Sequence, residues 1–228
     1  MTVLENPQRR FPPPPGSFAG AVFDLDGTLL DTLDDITRVG NSILSRRGFP
    51  VRDRETFRAA TGMGIEALYR KLLGDDSDPA LVADMAREAA LAYSRVEESI
   101  ARPFPGVPEL LSRLESEGIP MAVLSNKPQE AVTALLAVLL PGVRFHAAIG
   151  AAPGRTVKPC GEAAVKLMGS MGVVPEKTAM VGDGEPDMKT ALAAGMVPVG
   201  CSWGFTPPGR LLEMGAVYLV HSLKAGYR

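Results

Sequence analysis

The stretch Ala21-Val22-Phe23-Asp24-Leu25-Asp26-Gly27-Thr28 decides how the rest of the chain is interpreted. A short apolar run ends in two aspartates one residue apart, and a glycine that permits a sharp turn follows them. Ligands of an open parallel sheet bind beyond the carboxyl ends of its strands, so we expect both carboxylates at the mouth of such a sheet. Two carboxylates this close repel each other unless a hard cation such as Mg²⁺, which prefers oxygen ligands, compensates them. One carboxylate could then attack phosphorus while the other transfers protons, although Asp26-Gly27 alone could be a plain turn.

Further apolar runs alternate with helical patterns and predict an α/β fold with a doubly wound parallel sheet, that is, a Rossmann-like core. The predicted strands are Ala21–Phe23, Met121–Leu124, Ala147–Ile149, Thr178–Val181, Val197–Gly200 and Val217–Val220. The helices predicted between them lie near Val107–Glu117, Gln129–Leu140, Glu162–Met171 and Asp187–Ala194.

This alternation breaks after the first strand, where the next strand comes much later than a normal crossover would bring it. The intervening residues predict four helices, near Asp34–Arg47, Arg54–Thr61, Ile65–Leu73 and Pro79–Glu98. We therefore predict a small α-helical cap domain, residues 33–103, inserted into a catalytic core made of residues 16–32 and 104–228. Residues 1–15 include four consecutive prolines and predict a tail that favours polyproline II.

Polar residues follow three later strands of the predicted sheet. Ser125-Asn126-Lys127-Pro128 offers a hydroxyl and backbone N–H groups that could cradle a phosphate oxygen. Lys158 could neutralise a phosphoryl group together with the carboxylates, and Asp183 and Asp187 could complete a cation site. Each feature has an ordinary alternative, a helix cap, a solvated lysine or a turn. Because all four strand ends carry polar side chains suited to binding a phosphate or a cation, we interpret them together as one active site.

These four segments resemble the ordered motifs of the haloacid dehalogenase superfamily. They are Asp24-Leu25-Asp26-Gly27-Thr28, Ser125-Asn126, Lys158-Pro159 and Gly182-Asp183-x-x-x-Asp187. The long gap after the first motif is typical of family members with a helical cap at that point. Gly184 stands where a serine is common in the family and Pro186 lies inside the fourth motif, which puts the conformation of that loop in question.

The resemblance implies a role for each motif residue. Asp24 would attack phosphorus, and Asp26 would protonate the leaving group, activate water and bind Mg²⁺ through its backbone carbonyl. Ser125 would bind the phosphoryl group, and Lys158 would stabilise it together with Asp24. The residues expected to hold Mg²⁺ are Asp24, Asp26, Asp183 and Asp187, and those expected to contact substrate in the core are Thr28 and Asn126.

Within the superfamily, the chain is similar to the phosphoglycolate phosphatase subfamily. The similarity includes the run from Phe23 to Thr32, Ser125-Asn126-Lys127-Pro128, Trp203-Gly204-Phe205 and the cap segment Gly64-x-x-x-Leu68. It implies a Mg²⁺-dependent phosphatase with 2-phosphoglycolate as the expected substrate. A phosphosugar mutase, a pyrophosphatase and a non-catalytic binding module are the alternatives, and the intact aspartates and lysine argue against the last.

Substrate choice is expected from the cap, because the core handles only the phosphate. The loop Thr61-Gly62-Met63-Gly64 predicts a close approach to the substrate, at Gly64 in particular, although it could be a plain turn between helices. Arg70 and Lys71 could meet a second anionic group such as a carboxylate, or could be a solvated helix face. Trp203 either packs on the core or borders the entrance.

The composition excludes several classes of protein. The chain has 24 basic and 26 acidic residues and a net charge of −2, so it lacks the excess of positive charge that is typical of proteins that bind nucleic acid or an anionic membrane. It has no signal-peptide pattern at its start and no apolar run near the ~20 residues that span a bilayer. Its only cysteines, Cys160 and Cys201, favour a reducing compartment. We expect a cytoplasmic monomer or homodimer whose partner is a small phosphorylated metabolite.

Overall fold

The computed structural model describes residues 3–5 and 18–223. The strands in this part of the chain are β1 (Val3–Glu5), β2 (Gly20–Phe23), β3 (Leu30–Asp31), β4 (Arg102–Pro103), β5 (Met121–Pro128), β6 (Ala147–Ala151), β7 (Thr178–Gly182), β8 (Val197–Cys201) and β9 (Tyr218–Val220). The α-helices are α1 (Leu33–Arg46), α2 (Arg54–Ala60), α3 (Ile65–Leu73), α4 (Pro79–Tyr93), α5 (Val107–Ser116), α6 (Gln129–Leu139), α7 (Glu162–Met171), α8 (Glu185–Ala193) and α9 (Pro208–Glu213). The helix α9 is the one that the sequence patterns did not predict.

The main sheet has the order β1-β9-β8-β7-β2-β5-β6, and its six strands from β9 to β6 are parallel. The predicted doubly wound parallel sheet is therefore confirmed. All four residues of the central strand β2 are buried, as expected for a strand that carries helices on both faces of its sheet.

One strand lies inside the segment predicted to be a polyproline tail. The backbone of β1 pairs antiparallel with β9, with Leu4 opposite Leu219. The prediction of a tail is wrong for these residues, because the edge of β9 offers unpaired N–H and C=O groups that local composition does not reveal. The proline run at residues 12–15 lies outside the described residues.

The helices α1 to α4, residues 33–93, form a helical unit with its own hydrophobic cluster. Phe57, Tyr69 and Met85 are completely buried in it. The fourth helix ends at Tyr93 rather than at Glu98 as predicted. The Ser94 hydroxyl bonds back to the Leu91 carbonyl at 2.8 Å, a local bond that competes with helix continuation.

A two-stranded antiparallel ribbon of β3 and β4 connects the helical unit to the sheet. The sequence patterns predicted no strand there, since two-residue strands are too short to show alternation. The ribbon lies where the chain leaves the sheet for the helical unit and where it returns. No α-helix within the described ranges is both long and apolar enough to cross a membrane.

Asp35 connects the start of the helical unit to the chain just beyond its end. Its buried carboxylate accepts hydrogen bonds from the Ser99 hydroxyl, from the N–H groups of Ile100 and Ala101, and from Arg38. Buried carboxylates need this number of donors, since each lone pair left without one costs free energy.

We expect Asp35→Ala to lower the free energy of unfolding by about 2 to 3 kcal/mol, because two backbone N–H groups lose their acceptor. Asp34→Ala is the matched control: Asp34 is exposed and pairs with Arg54 at the surface, so its loss should change stability by less than ~0.5 kcal/mol. Urea unfolding measures both variants. Equal losses would show that Asp35 does not hold these two segments together.

Candidate active site

The predicted site residues of the core meet at the carboxyl ends of the sheet strands. Asp24 follows β2 and Asp183 follows β7, as predicted. The ammonium of Lys158 lies 2.7 Å from Asp24 Oδ1 and 2.6 Å from Asp187 Oδ1. Lys158 is 2% exposed, so its charge is a structural element of the site and the solvated alternative is wrong.

Three carboxylates form what we call the carboxylate cluster: Asp24, Asp183 and Asp187. Each offers one oxygen, and these oxygens all lie within 4.8 Å of one another. Thr28 Oγ1 donates to Asp183 Oδ1 at 3.1 Å and the Phe205 N–H donates to Asp183 Oδ2 at 2.6 Å. These contacts orient Asp183 from two sides.

Glycines make room for the carboxylate cluster. A Cβ atom at Gly27 or Gly204 would overlap the Asp183 side chain, and one at Gly182 would overlap Asp187. Asp187 also accepts from the Gly184 N–H at 3.0 Å in the first turn of α8. That turn tolerates Pro186, since its first residues need no intrahelical donor, so the departures at residues 184 and 186 leave the carboxylates in place.

The electrostatics of the carboxylate cluster favour a cation. Burial and the neighbouring carboxylate of Asp187 raise the pKa of Asp24 from 3.8 to about 7, although Lys158 opposes this shift. Burial and the charges of Asp24 and Asp187 raise the pKa of Asp183. Three oxygen donors that repel one another in a buried site suit a hard divalent cation. The residues present therefore fit a Mg²⁺ ion held by Asp24, Asp183 and Asp187.

We expect metal-free Asp24→Asn to be more stable than the metal-free wild type, by a margin that grows as the pH rises. The folded pKa of about 7 exceeds the ordinary 3.8, so folded Asp24 retains a proton that the unfolded chain has lost. Wild-type stability therefore falls through this window, whereas the variant has no such term. Urea unfolding near pH 4 and near pH 8 measures the margin. A margin independent of pH would show that Asp24 ionises normally.

Asp26 stands apart from the carboxylate cluster. Its carboxylate accepts from the Thr32 hydroxyl at 2.7 Å and from Lys127 Nζ at 3.0 Å. The Lys127 ammonium also lies 4.5 Å from the centre of the Tyr93 ring, a favourable place for a cation. Sequence reasoning gave Lys127 no role, and its position directly after Ser125-Asn126 was the signal that could have found it.

Ser125 and Asn126 reach the site because strand β5 is irregular. Its pairing with β6 shifts register between Leu124 and Pro128, and such irregularities redirect side chains. Both side chains line the cavity above the carboxylates. The Asn126 amide binds both backbone polar groups of Lys158, at 2.9 Å each, so it positions the lysine.

Two residues predicted to contact substrate have other places in the structure. Thr28 is 1% exposed and its hydroxyl donates to Asp183, so it orients the cluster and does not line the cavity. Arg70 is exposed and lies away from the cavity, whereas Lys71 lines it. Neighbouring helical residues project about 100° apart, and on α3 it is Lys71 that lines the cavity.

The cavity lies between the helical unit and the core and has a volume of about 400 Å³. Gly64 lines it as predicted, and so do two cations that sequence reasoning missed, Arg58 and Arg210. Arg58 lies one helical turn before the predicted glycine loop, but a lone arginine in a short helix gives no distinct signal. Trp203 packs on the core, where its Nε1 donates to the Thr28 carbonyl at 3.0 Å.

Carboxylates and a buried lysine on the floor of an open cavity suit an enzyme that transfers phosphoryl groups. A sequence model of the haloacid dehalogenase-like hydrolase family matches residues 21–200. The chain belongs to this family and is a phosphatase.

Individual proteins similar to this chain are consistent with its membership of this family. A phosphoglycolate phosphatase from Pseudomonas putida is 34% identical over 212 residues, which cover 90% of this chain and 77% of the relative. One from Caulobacter vibrioides is 32% identical, with 90% and 87% covered. Among solved structures, a candidate phosphoglycolate phosphatase from Lactobacillus delbrueckii subsp. bulgaricus has a TM-score of 0.80 at 27% identity, and the match covers 91% of this chain and 95% of that one.

Proposed function

We propose that this phosphatase is Mg²⁺-dependent and hydrolyses a small phosphomonoester, with 2-phosphoglycolate as the leading substrate. The observation that carries the proposal is the carboxylate cluster with Lys158 against Asp24 at the floor of the cavity. When bound, Mg²⁺ would neutralise the cluster and the phosphoryl oxygens. The residues that would hold it are Asp24, Asp183 and Asp187, together with the backbone carbonyl of Asp26.

The reaction that we propose proceeds through an aspartyl-phosphate. A carboxylate oxygen of Asp24 attacks phosphorus, the bond to the ester oxygen breaks, and Asp26 donates a proton to that oxygen. Water then attacks phosphorus, Asp26 accepts its proton, and phosphate leaves with Asp24 restored. Lys158 holds Asp24, and Ser125 holds a phosphoryl oxygen by donating its hydroxyl hydrogen.

The substrate proposal rests on the wall of the cavity. Lys71 lines the cavity, and its ammonium donates to the Ala59 carbonyl over a long distance, 3.4 Å. Arg58 and Arg210 lie on the same cavity and pair with glutamates at 3.3 Å and 2.6 Å. A carboxylate joined to the phosphate by one carbon would find cations here, and the relatives named above support this substrate. We propose that the helical unit acts as the cap that supplies them.

The proposal is tested by phosphate release from a panel of esters with and without Mg²⁺. The panel contains 2-phosphoglycolate, hexose phosphates, nucleotides and pyrophosphate. We expect Mg²⁺-dependent release with a preference for 2-phosphoglycolate, and a weaker preference in Lys71→Met. Preferred release from pyrophosphate would favour a pyrophosphatase. An isomerised sugar phosphate that retains its phosphate would favour a mutase and contradict the proposal.

The protein is also proposed to work in the cytoplasm. Both cysteines are free, Cys160 at the surface and Cys201 in the interior. Burial raises the pKa of the Cys201 thiol, which keeps it neutral and inert. Free thiols of this kind fit a reducing compartment.

A further inference from the structure

Phe205 connects the helical unit to the carboxylate cluster through its own peptide groups. Its N–H donates to Asp183 Oδ2 at 2.6 Å, and its carbonyl accepts from Arg58 Nε at 2.7 Å. Its side chain packs against the hydrophobic cluster of the helical unit. A single residue of the core thus bonds a proposed metal ligand on one side and helix α2 on the other.

A second connection between the helical unit and the core starts at Gly62, in the loop after α2. The Gly62 carbonyl accepts from the Asn126 amide at 3.0 Å. The same amide holds the backbone of Lys158, whose ammonium lies between Asp24 and Asp187. The end of α2 and the loop after it are therefore connected to Asp183 through Phe205 and to Lys158 through Asn126.

The loop that carries Phe205 has little freedom of its own. Gly204 packs so closely on Asp183 that a Cβ atom there would overlap it. A shift of the Phe205 peptide therefore moves or releases the Asp183 carboxylate. Partners that orient a metal ligand contribute to affinity for the metal even though they do not touch it.

We propose that Arg58 is a positioning residue that couples docking of the helical unit to the metal affinity of the carboxylate cluster, through the Phe205 peptide and Asp183. This inference rests on the proposed metal-dependent function. By linkage, a bound metal stabilises the docked helical unit to the same extent that docking strengthens metal binding. The bond from Arg58 to Phe205 strengthens metal binding, because it helps to orient Asp183. The positive charge of Arg58 weakens metal binding, because a nearby cation repels a metal ion.

Three variants separate the bond from the charge. Arg58→Lys keeps the charge but places a methylene where Nε lies, so it removes the bond to Phe205. Arg58→Met removes both the bond and the charge. Lys71→Met removes a charge from the same cavity wall and has no bond to Phe205.

The measurement is the Kd for Mn²⁺ by titration calorimetry, without substrate, on the full chain. We expect about tenfold weaker binding for Arg58→Lys and Arg58→Met, and equal or tighter binding for Lys71→Met. Arg58→Lys binding Mn²⁺ as tightly as wild type, with an unchanged unfolding midpoint, would overturn the inference. If Arg58→Met is poorly folded, Arg58→Lys carries the test alone, since it keeps the charge and the aliphatic stem.

Backbone hydrogen exchange supplies a second measurement. We expect faster exchange at the Phe205 N–H in Arg58→Lys than in wild type, and slower exchange over residues 54–64 of wild type when Mn²⁺ is added. No effect of Mn²⁺ on that segment would contradict the coupling, and so would a wild type that binds no Mn²⁺. If Mn²⁺ binding is coupled to docking but no ester is hydrolysed, this inference stands and the proposed function is wrong. If an ester is hydrolysed but the Arg58 variants bind Mn²⁺ as tightly as wild type, the proposed function stands and this inference is wrong.

Discussion

Asp24→Asn should fold and yet lose turnover by about 10⁴-fold or more, the size of effect seen when a covalent nucleophile is removed. An amide has no negative charge with which to attack phosphorus, so the aspartyl-phosphate cannot form. The free energy of unfolding should not fall, because the variant removes one of three neighbouring carboxylates that repel one another. Single-turnover phosphate release and thermal unfolding measure the two effects separately.

The matched control is Asp34→Asn, the same chemical change at an exposed residue of α1 that pairs with Arg54. It should retain wild-type turnover and stability. Activity of Asp24→Asn near that of wild type would show that another group is the nucleophile. Activity that returns slowly during storage would require a check by mass spectrometry for conversion of the amide to the acid.

Lys158→Met should have the largest effect on stability. Lys158 is the buried cation between Asp24 and Asp187, and its removal leaves both carboxylates in the interior without a counter-charge. Breaking one side of such a buried pair costs about 3 to 5 kcal/mol. Turnover should also fall by about 10²- to 10³-fold, because a preorganised charge at the transition state is lost.

The pH dependence separates lost charge from lost packing. In wild type, burial alone would lower the pKa of Lys158, but the carboxylates of Asp187 and Asp24 raise it, so the lysine stays charged. Without it the pKa of Asp24 rises further. The stability deficit of Lys158→Met should therefore be full near pH 8 and shrink near pH 5, where the carboxylate takes up a proton. Urea unfolding at both values is the measurement.

Lys166→Met is the control for this variant. Lys166 also forms an ion pair, with Glu162 on the exposed face of α7, and its loss should change stability by less than ~0.5 kcal/mol. A deficit for Lys158→Met that is equally large near pH 5 and near pH 8 would mean that packing, rather than uncompensated charge, is what the lysine supplies.

The sheet and its helices could be predicted because their signals are local. A run such as Met121–Leu124 is apolar at every residue, as a strand covered on both faces must be. The glycines that follow several helices mark their ends. The ribbon of β3 and β4 could not be predicted, because its strands are two residues each and are held by pairing between distant segments, as in Leu30 with Pro103, which are 73 positions apart.

The core of the site could be predicted for a related reason. Carboxyl ends of parallel strands meet at one edge of a sheet, so Asp24 and Asp183 had to approach each other once the strands were assigned. No such rule predicts which residues of the core contact the helical unit. Arg58 reaches the Phe205 carbonyl across 147 positions of the chain, and neither residue carries a motif that indicates the contact.

The amino-acid sequence by itself determined the parallel α/β sheet, the helical insertion and the grouping of Asp24, Ser125, Lys158, Asp183 and Asp187, because the strands and their ends follow from local patterns and the carboxyl ends of parallel strands share one edge of the sheet. Only the tertiary structure decided that Lys127 binds Asp26, that Thr28 serves Asp183 and that Lys71 rather than Arg70 faces the cavity. The first two outcomes depend on how the loops at the carboxyl ends of the strands pack on one another, and the third depends on how the helical unit packs on the core. Both kinds of packing are the sum of many weak contacts between distant segments, which no local pattern encodes.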